Sequence, residues 1–358
     1  AFGKILDQYA KNNTDFSQRI LTTSPDVSVS TNLGPWINRK GLFSRKDGSD
    51  TFKDRKIPSA QKWIFSSQGQ HIELGIAEMN LFLMLGAAGL SHEFFGERLF
   101  PIGTVYDPFI SRGLDAMNYA CYQDARFMIV GTPSGISLAP EGGAHQSIAT
   151  PLIGISQPGL LSFEPAFADE LALIMNYGFN FLQDEDGGSI YLRLSTRSID
   201  QPLREMDNEL KKNIIKGGYW LKKPGPNPEV IIIYQGAVAS EVIEATAFLG
   251  ERFKDLGVLS VTSSDNLFHE WKKQALSFKN NKTQSHIEKL LEFVPKDTRI
   301  ITVIDGHPMT LSWIGSVYGH KTIPLGIDRF GQTGNIKDLF NEFGIDTNNI
   351  SNLGFNLS

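Results

Sequence analysis

The sequence predicts an α/β protein built as two consecutive units, and three observations carry that prediction. Short apolar runs of strand character alternate with longer segments of helical period along most of the chain. At 358 residues the chain is too long for one comfortable core and long enough for two domains of ordinary size. A polar, Pro-rich stretch from about 200 to 228, closing in "KKPGPNP", interrupts the alternation and is the best domain boundary in the chain.

In chain order, "FGKILDQYAK" opens the first unit as a charged helical pattern, and "RILTTSPDV" (19–27) reads as a strand followed by a turn. Residues 35 to 66 are polar without a clear period and are expected to wrap the surface. In "GQHIELGIAEMNLFLMLGAAGL" (69–90), Leu81, Met84, Leu85 and Ala88 recur at the i, i+3, i+4, i+7 positions of a helix. A strand follows at "LFPIGTVY" (99–106), then a helix from Pro108 to about Gln123, where Pro fits the first turn because its missing N–H costs nothing there. "RFMIVGT" (126–132) is a buried strand leading into the Gly/Pro/Ser loop that ends in "APEGGAHQS", and a helix at 169–183 precedes the strand "SIYLRLS" (189–195). Beyond the boundary, "EVIIIYQG", "GVLSVTSS", "RIITVIDG" and "KTIPLGID" are further strands, and "NIKDLFNEFGID" (335–346) is an amphipathic helix ended by Gly344.

Composition narrows the function classes. With 41% hydrophobic and 20% charged residues the chain has the make-up of a soluble globular protein. A net charge of −5 without a basic block argues against nucleic acid as a partner. The apolar runs fall far short of the ~20 residues that cross a bilayer, so no membrane partner is expected. The single cysteine, Cys121, excludes an internal disulfide and a Cys-based metal cluster. No cleavable signal is visible, and a cytoplasmic enzyme is the plain reading. The chain opens at Ala1 directly on a helix, as either Met removal or truncation of a longer polypeptide would produce.

Few residues stand out for chemistry. Glu78 sits where a helix turns apolar and heads inward. It is either a first-turn acid, stabilised by ~0.3–1 kcal/mol through the macrodipole, or a buried carboxylate that needs a proton or a hydrogen-bond partner. Phe109, at a strand-to-helix turn, is either core or a stacking surface. His145 follows a Gly-rich loop that matches neither the dinucleotide nor the phosphate-loop fingerprint. Arg193 and Arg197 in "YLRLSTR" are either charges flanking a strand or ligands for an anion.

The order of these residues changes their weight. "ELGIAEMN" looks like the "GIAEQ" segment of the transketolase superfamily, and "EGGAHQS" looks like its "EDGPTHQ" loop. "SPDVSVSTN" (24–32) resembles its "SADLAPSN" stretch, and "DRFGQTGNIKDLFNEFGID" (328–346) resembles the "FGESAPAELLFEEFG" of its last domain. The resemblance runs over nearly the whole chain. It implies two consecutive three-layer α/β domains: a pyrimidine-binding domain at 1–205, a linker at 206–228, and a transketolase-type C-terminal domain at 229–358.

These are thiamine diphosphate enzymes. The resemblance implies that Glu78 hydrogen-bonds the ring nitrogen of the cofactor's aminopyrimidine, shielded from water, so that the neighbouring amino group can act as base. Phe109 matches the aromatic that stacks on that ring, with Tyr106 a close competitor. His145 matches a substrate-side histidine, so Glu78 and His145 are the candidate catalytic residues. Arg193 and Arg197 match positions that bring positive charge to anionic substrates. His71 and Glu73 are candidate pocket residues, whereas His307 and His320 are expected to be structural. The family holds the diphosphate through Mg²⁺ on a "GDG" motif that does not occur here, "EDGG" (185–188) and "IDGH" (304–307) standing in other contexts. The chain is therefore expected to supply half of each active site, with the Mg²⁺ ligands elsewhere, in a homodimer or on a partner chain.

Two branches fit: the beta subunit of a heterotetrameric 2-oxo acid dehydrogenase, or the C-terminal part of a single-chain enzyme. "SPDVSVSTNLGPWINRKG" and "LGIDRFGQTG" favour the single-chain type. The expected activity is oxidative decarboxylation of a 2-oxo acid, pyruvate first, with a lipoyl-bearing acyltransferase as a further partner. Ketol transfer between phosphosugars is the alternative. A non-catalytic pairing module is a third reading, disfavoured because it would need none of Glu78, Phe109 and His145.

Overall fold

The computed structural model describes residues 1–46, 51–58, 62–277 and 283–356. It divides into two compact units. The first comprises Ala1–Pro133, Pro158–Leu160 and Met175–Tyr191; the second comprises Ser134–Gln157, Leu161–Ile174 and Leu192–Ser358.

Eight strands form one sheet: β1 (Ile20–Ser24), β2 (Leu42–Phe43), β3 (Phe65–Ser66), β4 (His71–Glu73), β5 (Phe100–Val105), β6 (Met128–Gly131), β7 (Leu160–Phe163) and β8 (Ser189–Arg193). Their order is β3-β2-β4-β1-β5-β6-β8-β7. β1 pairs in parallel with both β4 and β5, and β5 with β6. The carboxyl ends of these strands therefore share one edge, where open α/β sheets place their ligands. β1 leaves that edge into the turn at Asp26 (φ 64°), β4 into the loop before Glu78, and β5 into Tyr106.

The helix Glu78–Gly89 lies on this sheet with Leu81, Phe82 and Leu85 fully buried. Its close approach depends on Gly103 in the middle of β5, where a Cβ would stand 2.7 Å from Leu85 Cδ1 and 3.1 Å from Leu81 Cδ1.

The expected helix 108–123 is two pieces, a 3-10 turn Asp107–Gly113 and an α-helix Leu114–Tyr122. Gly113, at φ −121° and ψ 14°, is the break between them. The aperiodic stretch after residue 35 holds the helix Gly34–Lys40 and the two-residue strands β2 and β3, too short to show a period. Parts of it lie outside the described residues.

The second unit carries its own sheet: β9 (Gly218–Lys222), β10 (Val230–Gln235), β11 (Gly257–Val261), β12 (Arg299–Ile304) and β13 (Thr322–Leu325), in the order β13-β12-β10-β11-β9. All pairs are parallel except β9 with β11. Val230, Ile232 and Tyr234 of β10 join one core with Val242, Ala245 and Leu249 of the helix Ala239–Arg252 and Ile350 of the helix Thr347–Asn356. Ile231 and Ile233 join the opposite core with Leu267, Ile287 and Leu291. Burial on both faces explains why "VIIIY" reads as an unbroken apolar run, and it makes this unit three layers deep. Within 206–228, the segment expected as linker, the structure places the helix Asn208–Lys216 and the edge strand β9. Asp207 caps that helix by accepting from the Leu210 amide at 2.7 Å.

Candidate active site

In the first unit, Glu78 is the first residue of its helix and is buried, only 8% exposed. The two readings of its position therefore coexist, as a first-turn acid that is also withdrawn from water. Its partner is Arg112, whose Nη1 donates to Glu78 Oε1 at 2.5 Å. The guanidinium carbon of Arg112 lies 3.8 Å from the centroid of the Phe109 ring. Tyr106 stacks on Phe109 with centroids 6.0 Å apart and an interplanar angle of 24°. The structure thus brings Glu78 and Phe109 to one flat cation, with Tyr106 stacked on Phe109.

The 3-10 turn that carries Phe109 and Arg112 is anchored at both ends. At its start, buried Asp107 accepts a hydrogen bond from the Tyr191 hydroxyl, and its amide donates to the Pro133 carbonyl at 3.3 Å. At its end, Gly113 packs on the Phe82 ring, which a Cβ would reach at 1.9 Å. Phe82 stands one helical turn after Glu78, so the same contact sets the turn against the helix.

Beside it, the β1–β4 register puts Thr22 opposite His71 and Ser24 opposite Glu73. Trp36 Nε1 donates to Thr22 Oγ1 at 2.8 Å, and Thr22 Oγ1 meets His71 Nδ1 at 2.8 Å. His71 Nε2 meets Ser28 Oγ at 3.0 Å, the Ser28 hydroxyl donates to Glu73 Oε2 at 2.6 Å, and the Asp26 amide donates to Oε1 at 2.6 Å. With the Ser28 proton spent on Glu73, His71 donates through Nε2 to the Ser28 hydroxyl oxygen. Burial pushes the Glu73 carboxyl up, but the hydrogen bonds from His71, Ser28 and Asp26 outweigh it and hold the carboxyl below its ordinary value. His71 is fully buried with both ring nitrogens engaged.

The remaining candidates lie in the second unit. His145 ends the 3-10 turn Gly143–His145, its side chain 37% exposed and its Nε2 3.9 Å from Glu141 Oε2. The segment that contains "FGQTG" backs this loop. Gln146 Nε2 donates to the Gln332 carbonyl at 3.1 Å, and a Cβ on Gly143 would stand 2.3 Å from the Gly331 carbonyl oxygen. Two stretches that carried the resemblance are therefore one packed structure.

Arg193 is not a strand-flanking surface charge. It is 2% exposed, donates through Nη1 to Glu164 Oε1 at 2.5 Å, and donates through Nη2 to the Asp305 carbonyl at 2.7 Å and Ser147 Oγ at 3.2 Å. The Asp305 carboxylate accepts from the Ile136 and Ser137 amides. Burial raises that carboxyl to about 6, with Arg193 and the two amides holding it down. Arg197 makes a two-pronged pair with Glu241, at 2.9 and 2.8 Å, over the Phe340 ring. Both guanidinium groups are given to internal partners. His320 Nδ1 bonds the Thr298 carbonyl at 3.2 Å, and His307 Nδ1 accepts from the Met309 amide at 3.3 Å. Among the described residues no three His, Cys, Asp or Glu side chains gather as a metal site, and no helix is long and apolar enough to cross a membrane.

Residues 1–202 match the model of the pyruvate dehydrogenase E1 component middle domain, more than half of the chain. The chain belongs to this family. Residues 217–346 match the transketolase-like C-terminal domain. The pyruvate dehydrogenase E1 component of Mycolicibacterium smegmatis is 28% identical over 260 residues, 70% of this chain and 28% of that protein. Transketolase 2 of Aliivibrio fischeri is 26% identical over 284 residues, 79% of this chain and 39% of that protein. The chain thus spans well under half the length of these curated relatives. Transketolase from Leishmania mexicana shares the fold with a TM-score of 0.74 at 17% identity, covering 100% of this chain and 45% of that one.

For this member of the E1 family, several residues that partner the candidates carry no signal in the sequence. Arg112 and Asp107 stand within the quoted "YDPFISRG" but carry no period or motif of their own. Glu164 and Asp305 were invisible because their partner Arg193 is far away in sequence.

Proposed function

We propose that this chain supplies the aminopyrimidine half of a thiamine diphosphate-dependent active site in an enzyme that oxidatively decarboxylates a 2-oxo acid, pyruvate first. One observation carries the reading: a buried carboxylate, Glu78, and an aromatic face, Phe109, converge on a single flat nitrogen donor. An aminopyrimidine makes the same two demands, an in-plane hydrogen-bond partner and a stacking face, so the residues present fit the group. When bound, the cofactor would supply the nucleophilic carbon and the electron sink that decarboxylation of a 2-oxo acid needs.

The chain's own residues prepare this. Glu78 holds a proton at the pyrimidine ring nitrogen, and its burial keeps water from competing for that proton. Phe109, with Tyr106 stacked on it, fixes the plane of the ring. His145, partly exposed on its loop, is the candidate to exchange a proton with the substrate oxygen. In this reading 1–205 is the pyrimidine-binding domain, 206–228 joins it to the C-terminal domain 229–358, and the Mg²⁺ ligands come from a diphosphate-binding domain elsewhere. A homodimer or partner chain completes the site, a lipoyl-bearing acyltransferase takes the acyl group, and the location is the cytoplasm.

Ketol transfer between phosphosugars is the second reading, favoured by the similarity to the Aliivibrio fischeri transketolase. The test gives the complete enzyme thiamine diphosphate, Mg²⁺ and ferricyanide. Pyruvate-dependent reduction is then compared with ketol transfer from xylulose 5-phosphate to ribose 5-phosphate. Robust ketol transfer without pyruvate oxidation overturns the dehydrogenase reading.

A further inference from the structure

We propose that Arg112 is a built-in competitor for the aminopyrimidine seat: its guanidinium takes the Glu78 carboxylate and the Phe109 face, and has to swing out before a flat ligand can use both. The inference rests on the function proposed above and adds a step to it. A guanidinium is planar, carries its N–H donors in its plane and stacks on aromatic rings. Those properties make it a mimic of the group that Glu78 and Phe109 are proposed to receive.

The two members of the pair are unequally exposed. The Glu78 side chain is 10% exposed and that of Arg112 is 52% exposed. Little of the carboxylate is left open beyond what Arg112 covers, so a second donor has to approach by the route the guanidinium takes. Tyr106 already stacks on Phe109, so the ring serves two flat neighbours before any ligand arrives. Arg112 can also leave at low cost. It reaches in from a short 3-10 turn held by Asp107 and Gly113, and half of its side chain already meets water. A half-exposed ion pair and a cation–π contact are each weak. Together they suit a latch that a tight ligand opens without difficulty.

The alternative role, in which Arg112 holds Glu78 in place for the ligand, predicts the opposite sign. In the complete enzyme, Arg112→Ala is expected to tighten thiamine diphosphate binding, read by calorimetry with Mg²⁺ present, by about tenfold, ~1.4 kcal/mol. Arg112→Lys, which keeps the charge and loses the plane, is expected to fall between Ala and the parent. Guanidinium ion at a sub-denaturing concentration is expected to weaken binding again in Arg112→Ala, beyond the effect of NaCl at equal ionic strength. Unchanged or weaker binding in Arg112→Ala overturns the competitor role and leaves the proposed function standing. No cofactor binding by either protein overturns both. Arg112→Ala takes a partner from the buried Glu78 carboxylate, so urea unfolding of the cofactor-free proteins is measured alongside. Arg112→Lys, which keeps the charge at that carboxylate, gives the same binding readout.

Discussion

Gly113→Ala tests how the two site-bearing elements are held together. The added Cβ would stand 1.9 Å from Phe82 Cδ2, 2.5 Å from Cε2 and 2.8 Å from Cγ, against the body of a fully buried ring. Backbone strain is no obstacle, because φ −121° and ψ 14° are open to alanine. Stiffening the unfolded chain favours the variant by ~0.4–1 kcal/mol. Overpacking costs ~1–3 kcal/mol, so a net loss of about 1–2 kcal/mol is expected. The loss should appear in urea unfolding and as faster hydrogen exchange in the helix Glu78–Gly89. Phe82→Leu removes the ring that is struck. In the double-mutant cycle, Gly113→Ala should therefore cost less in the Phe82→Leu background by at least ~0.5 kcal/mol. Unchanged exchange in that helix, or a cycle with no coupling, refutes the idea that this contact sets the turn against Glu78.

Three further outcomes are expected. Glu78→Gln in the complete enzyme should lower turnover by about 10²–10⁴-fold, the range for losing a positioned acid or base, while circular dichroism shows the fold retained; near-parental turnover would remove Glu78 from the chemistry. Breaking one side of the buried Arg193–Glu164 pair with Glu164→Gln or Arg193→Met should cost ~3–5 kcal/mol, and the double variant less than the sum; additive losses in urea unfolding would show that the pair is not coupled. Asp305 has a folded-state value of about 6 against an ordinary 3.8. The folded state therefore binds more protons than the unfolded one in between, and the Asp305 contribution to stability falls as pH rises from about 4 to 6 and is level above. Unfolding measured across that window should show a downward slope that Asp305→Asn flattens, and an equal slope in both proteins would refute the assignment.

Much of this architecture was legible because the signals are local. The run "VIIIY" is continuous because β10 is buried on both faces. Leu81 and Leu85 repeat at helical spacing because one face of their helix lies on β5. Five strands were missed: β2 and β3 have two residues each and β4 has three, too few for a pattern, while β7 has four and β9, inside the polar stretch, has five. The division of the helix expected at 108–123 was missed because it depends on a glycine whose conformation is set by its neighbours in space.

The sequence by itself determined most of the longer helices and strands, and that an acid, an aromatic and a histidine stand in a chemically suggestive order. Only the tertiary structure decided what satisfies each buried charge. It joined Arg112 to Glu78 across 34 residues and Arg193 to the Asp305 carbonyl across 112. It also gave the buried His71 and Arg193 their hydrogen-bond partners. The physical reason is that periodicity records only whether a side chain faces oil or water. A buried charge needs a particular partner at hydrogen-bond distance, and that partner is chosen by which distant segments the fold brings together.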